Sequence, residues 1–81
     1  MSDADSVAAI FARHLGGYIG QHTAPMAIKT FAKQALGVTP DQVKRLDAGK
    51  LLDAMRPMLN TLLGKEHAEA VAKLIRADVG I

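Results

Sequence analysis

The sequence predicts an all-α protein, a compact bundle of four to five short helices forming a single domain over residues 1–81. Three observations predict it. Apolar residues recur at spacings of three and four in every segment, which is the period of one helix face. Alanine, leucine and methionine dominate, while β-branched residues are scattered singly rather than in alternation. The segments are punctuated by glycine and proline where helices start and stop, with short joins between them and no repeat or low-complexity tract. With 81 residues, 49% of them hydrophobic and 22% charged, the chain has material for one small core.

The first helix is predicted from Val7, Ile10, Phe11, Leu15, Tyr18 and Ile19, one stripe that stays in phase through Gly16 and Gly17 and ends at Gly20. Ser2, Asp3 and Asp5 crowd its start, where side-chain oxygens and negative charge suit the free N–H groups. Thr23 and Pro25 open a second helix, because proline is tolerated in the first turn. Its buried face is Ile28, Phe31, Ala32, Ala35 and Leu36, with Lys29 and Lys33 pointing elsewhere. Gly37 stands where a left-handed cap belongs.

Thr39, Pro40, Asp41 and Gln42 spell an N-cap, N1, N2 and a capping-box N3, and Val38 and Val43 fit a hydrophobic staple. A short helix from Pro40 to about Leu46 is expected. Asp47 can cap a fourth helix carrying Leu51, Leu52, Met55, Met58, Leu59, Leu62 and Leu63, either kinked at Pro57 or split after Met55. Gly64 closes it. The last helix, from Lys65 to Asp78, sets Ala68, Val71, Ala72, Leu74 and Ile75 on one side and pairs Glu69 with Lys73.

Composition excludes several functions. Without cysteine there is no disulfide, thiolate metal site, iron–sulfur cluster or cysteine nucleophile. A net charge of +2 is too weak to imply nucleic acid or anionic lipid, and Phe11, Tyr18 and Phe31 are too few to stack single-stranded bases. No apolar run approaches the roughly 20 residues of a membrane span, so no membrane contact is expected. Asp3 and Asp5 stand where a signal peptide would carry Lys or Arg, so a cytoplasmic location is expected.

Site chemistry is sparse. His14, Tyr18 and His22 are spaced by fours, but the expected helix end at Gly20 separates His22, and no further ligand lies nearby; neither a metal nor a cofactor is expected. Neither His14 nor His67 has the lysine and glycine that follow a phosphorelay histidine. An acyl carrier would need a helix-capping serine, and none lies between Gly37 and Gly64. The carboxylates fall on polar faces beside Lys or Arg, as solvated charges do. No small-molecule substrate and no enzymatic activity are expected.

Two binding readings remain. The stretch Ala32–Leu46 resembles a helix-turn-helix, with Gly37 in the turn and an apolar residue after it. Lys29, Lys33, Lys44, Arg45 and Lys50 outweigh Asp41 and Asp47 there, and Lys44, Arg45 and Lys50 are the DNA-contact candidates. Against it, Lys33 occupies the position that wants a small residue, and Pro40 and Asp41 open the recognition helix where donors are needed. The other reading is protein–protein interaction. Ile19, Met26, Leu51, Met58, Leu63 and Ile81 fall off the narrowest stripes, and apolar residues left exposed would form a contact patch for another protein or a second copy of the chain.

Tyr18-Ile19-Gly20 followed by Ala24-Pro25-Met26-Ala27-Ile28-Lys29 resembles a small helical module of bacterial signalling proteins, in which a Tyr-Ile-Gly-Pro segment joins two helices. Leu36-Gly37-Val38-Thr39-Pro40-Asp41 and Leu51-Leu52-Asp53-Ala54-Met55-Arg56-Pro57 are similar to its downstream helices. Gln21 stands where that module has proline. The resemblance implies a noncatalytic docking or regulatory module and transfers no active-site residues. Tyr18, Ile19 and Met26, around the first interhelical join, are the interface candidates.

Overall fold

Ser6 opens the first helix: its Oγ accepts the Ala9 N–H at 3.1 Å, and α1 runs Val7–Ile19. The structure, a computed structural model, describes residues 6–81, so the expected roles of Ser2, Asp3 and Asp5 lie outside the described residues. The helix passes through Gly16 and Gly17 unbroken and is capped at Gly20. Phe11 and Leu15 have no exposed surface, and Val7 and Ile10 keep little.

The second helix, α2, spans Thr23–Phe31 and continues into one wider π-helical turn, Ala32–Leu36. Its inner side buries Ala24, Ile28 and Ala32, with Phe31 and Leu36 packed partly against the core. Gly37 adopts the left-handed conformation its position predicts, at φ +68°. The Gly37 N–H reaches the Lys33 carbonyl at 3.0 Å and the Val38 N–H reaches the Ala32 carbonyl at 3.3 Å. Each bond spans one residue more than in an ordinary glycine-capped end, as the π turn requires.

The short helix expected from Pro40 to Leu46 does not form. Two 3-10 turns, Pro40–Gln42 and Arg45–Asp47, take its place, separated by extended backbone at Val43 and Lys44. The start signals operate: the Gln42 side chain accepts the Thr39 N–H at 3.2 Å, and the Gln42 N–H closes onto the Thr39 carbonyl at 2.9 Å. Continuation stops at Val43, whose backbone is extended, at φ −70° and ψ 122°, and whose side chain is buried in the core. Asp47 then folds back to accept the Lys44 N–H at 3.4 Å instead of bonding into the next helix.

Helix α3, Ala48–Leu63, contains Pro57 and is neither split nor ended by it. Proline lacks the donor that would reach the Asp53 carbonyl, and both residues sit on the exposed side of the helix. Leu51, Leu52, Met55 and Leu59 are fully buried, so Leu51 belongs to the core. Met58 and Leu63 pack partly against it. Leu62 does not follow the predicted stripe and is 56% exposed. After Gly64, α4 spans Lys65–Val79 and buries Ala68, Val71, Ala72, Ile75 and Val79; Leu74, expected on the same side, faces outward.

The helices pack in sequence, α1 on α2, the π turn on α3 and α3 on α4, and α4 returns onto α1 to close the ring. The result measures 33 × 23 × 23 Å around one core in which, among the described residues, every buried one is apolar. Among the described residues there is no strand, and no helix is long and apolar enough to cross a membrane.

Candidate interaction surface

The three interface candidates are divided by the fold. Ile19 is half-buried and packs against the core. Tyr18, 42% exposed, sets its ring 6.1 Å from that of His67 on the first turn of α4, tilted by 56°. Met26 is 69% exposed on the outward side of α2; among the described large apolar side chains only Leu46, in the second 3-10 turn, is more exposed, at 94%.

Met26 is one of a helical series. Lys29 and Thr30 follow it on α2 at the third and fourth positions and Lys33 at the seventh, in the π turn; all are exposed, and the four line one depression. Two shallow depressions flank this face. One is lined by Met26, Lys29, Thr30, Lys33 and Gln34. The other is lined by Lys29, Lys33, Gly37, Val38, Thr39 and Gln42, in the angle between α2 and the Pro40 turn. Lys29 and Lys33 line both and therefore form the ridge between them.

The electrostatics of this face are one-sided. From residue 6 to residue 40 the chain contains Arg13, Lys29 and Lys33 and no Asp or Glu. Among the described residues no carboxylate comes within 4.0 Å of either lysine. The sequence sets these lysines off the core and counts them in the positive charge of the helix-turn-helix reading, not as interface residues; the acid-free stretch around a pair spaced by four is the signal that marks them.

The DNA-contact candidates are placed differently. Arg45 turns toward the end of α4, and its guanidinium donates to the Gly80 carbonyl at 2.8 Å. Lys44 is exposed between the 3-10 turns, and Lys50 is exposed in the first turn of α3. The segment that would form a recognition helix is the pair of 3-10 turns. Ile81 remains 47% exposed, its Cδ1 3.9 Å from where a Cβ on Gly49 would stand.

A second polar cluster joins α1 to α4. His14 Nε2 donates to Asp78 Oδ2 at 2.6 Å, and Arg13 donates to the same oxygen at 2.7 Å. These two bonds hold the Asp78 carboxyl below its ordinary range, the His14 bond first and the Arg13 bond next. The residues lie 64 and 65 positions apart, so no local pattern announced them. Further along α4, Arg76 approaches Asp53 at 3.7 Å, while Glu69 and Lys73 form no ion pair within 4.0 Å. Among the described residues no group of three His, Asp or Glu side chains is arranged to hold a metal.

No family model, no curated protein and no solved structure matches the chain.

Proposed function

We propose that this chain is a noncatalytic protein-interaction module, docking to or regulating a bacterial signalling protein, with the outward face of α2 as its contact surface. The observation that carries this reading is Met26, 69% exposed and lining a depression with Lys29, Thr30, Lys33 and Gln34, so that an exposed apolar side chain and two cations share one concave surface. Burying such a side chain against a partner contributes about 1.5–3 kcal/mol. Methionine adapts its shape to varied contacts. The resemblance of residues 18–29 to the helical join of the signalling modules supports the same surface. A second copy of the chain is one partner this reading allows.

The alternative, DNA binding through Lys44, Arg45 and Lys50, has weaker support. Residues 40–46 offer no α-helix to a major groove, and Arg45 is engaged by Gly80. A photoreactive residue placed at Met26, with Lys73 on α4 as the control position, tests the choice in a bacterial lysate. A discrete protein adduct, or a dimer of the chain, is expected at position 26 and competed by excess unlabelled protein. Equal labelling from both positions, or none, overturns the reading.

A further inference from the structure

We propose that the outer face of α2 receives an acidic amphipathic segment of the partner protein, its carboxylates on Lys29 and Lys33 and its apolar side chains on Met26 and Val38. This rests on the reading of α2 as the contact surface and names the chemistry of what binds there.

The spacing sets the first requirement. Lys29, on α2, and Lys33, in the π turn, are four residues apart and line the same two depressions. Two carboxylates four residues apart share one face of a partner helix and so offer one to each ammonium. The surroundings set the second. No acid occurs between residues 6 and 40, and no described carboxylate, that of the neighbouring Asp41 included, comes within 4.0 Å of either ammonium, so both lysines are open to direct pairing with a partner's negative charge.

The apolar content decides which acidic partner fits. On one side of the lysine ridge stands Met26; on the other, half-buried Val38 lies in the angle formed by the π turn and the Pro40 turn. A partner that laid only charge on the lysines would leave the Met26 surface in water. An amphipathic helix fills both depressions with apolar side chains while its acidic positions meet the ridge, the mode in which a helix lies in a groove. A phosphate backbone offers the charge and nothing for the methionine.

The test uses the purified full chain and a labelled helical peptide with Glu at positions four apart and Leu on the same face, read by fluorescence anisotropy and backbone amide shifts at low salt. Amide shifts are expected at residues 26–42, with binding that weakens as salt rises. Lys29→Glu with Lys33→Glu is expected to weaken binding by about tenfold or more, because it replaces both contacts with repulsion. Lys65→Glu with Lys73→Glu makes the same change in net charge on α4 and is expected to have a far smaller effect. Met26→Ser is expected to weaken binding with the charges intact.

Equal losses from the α2 and α4 pairs would overturn the proposal, since net charge alone would then explain binding. Equal affinity for a peptide with Ser in place of Leu, or Lys in place of Glu, would overturn it as well. So would duplex DNA that shifts residues 26–42 where the peptide does not. If the peptide fails but the adduct at position 26 forms, the partner's acidic chemistry is wrong and the contact surface stands. If both fail, both are wrong.

Discussion

Helices α2 and α4 are both amphipathic and both carry exposed cations, yet the C-terminal part of α4 treats its charges differently from the outer side of α2. On α4, Asp78 accepts from Arg13 and His14 and thereby ties the helix to α1, and Arg76 leans toward Asp53 on α3. Arg45 closes over Gly80 just past its end. On α2, Lys29 and Lys33 meet no described carboxylate, and Met26 beside them is left in solvent. Near the C-terminal end of α4 charge is used within the fold, whereas Lys65, Glu66, Glu69 and Lys73 earlier on the same helix meet no described ion-pair partner within 4.0 Å. Charge on α2 is available outside the fold. A surface whose groups are already paired has little to offer a partner, because each pair must be broken and desolvated first.

The largest expected effect contrasts the inner side of α4 with the outer side of α2. Ile75 is fully buried, and Ile75→Ala should cost about 2–5 kcal/mol through lost burial and the cavity left behind. Met26→Ala should change stability by no more than about 0.5 kcal/mol. Urea unfolding followed by circular dichroism measures both. A Met26→Ala loss comparable with that of Ile75→Ala would mean that Met26 belongs to the core and that the contrast is false.

The end of α4 gives the next effect. Gly80 sits at φ +87°, and a Cβ there would stand 2.6 Å from the Arg45 guanidinium. Gly80→Ala therefore has both a left-handed backbone to support, at about 1 kcal/mol, and a side chain to displace. In an Arg45→Ala background only the backbone cost should remain. The two substitutions should be non-additive in a thermal-denaturation cycle. Simple additivity would show that Arg45 does not hold the end of α4.

Much of this was legible in advance, and the parts that were not share a cause. Gly20, Gly37 and Gly64 end helices where the sequence puts them, and the stripe through Gly16 and Gly17 reads correctly as one helix. These are local signals, written within a few residues. The Pro40 segment misled because its start signals are also local, whereas what stops it is Val43 seeking the core. Leu62 and Leu74 are apolar at plausible stripe positions, and only the placement of neighbouring helices leaves them outside. On the candidate surface, Met26 was legible as an off-stripe apolar residue. Asp78 was not, because its partners are on α1, and Arg45 read as a DNA contact because Gly80 is far away in sequence.

Acid should loosen α4 before it reaches α2. The folded-state pKa of Asp78 is lowered by His14 and Arg13, so the unfolded chain takes up this proton more readily than the folded one. The stability this carboxylate contributes is present above its ordinary value of 3.8 and is lost as pH falls through the lowered folded value. Asp78→Asn should therefore reduce the melting temperature at neutral pH and flatten the fall of melting temperature on acidification. An acid limb identical to that of the parent would show that the α1–α4 cluster carries no stability.

The smallest expected effect is the most discriminating. Lys29 lies in the last turn of α2 and Lys33 in the π turn that continues it, where a cation can be stabilising simply because it faces the negative end of the helix dipole, by about 0.3–1 kcal/mol each. If that were their role, Lys29→Gln with Lys33→Gln would lower stability by an amount that salt erases, and the lysines would be as structural as Asp78. The bond pattern argues otherwise. The Ala32 and Lys33 carbonyls at this end are already taken by the Val38 and Gly37 N–H groups, so the dipole there is partly satisfied. The double substitution should leave the denaturation midpoint unchanged at low salt and remove the affinity for acidic amphipathic peptide. Stability lost without affinity lost would place these lysines with the charges of α4, inside the fold's own economy.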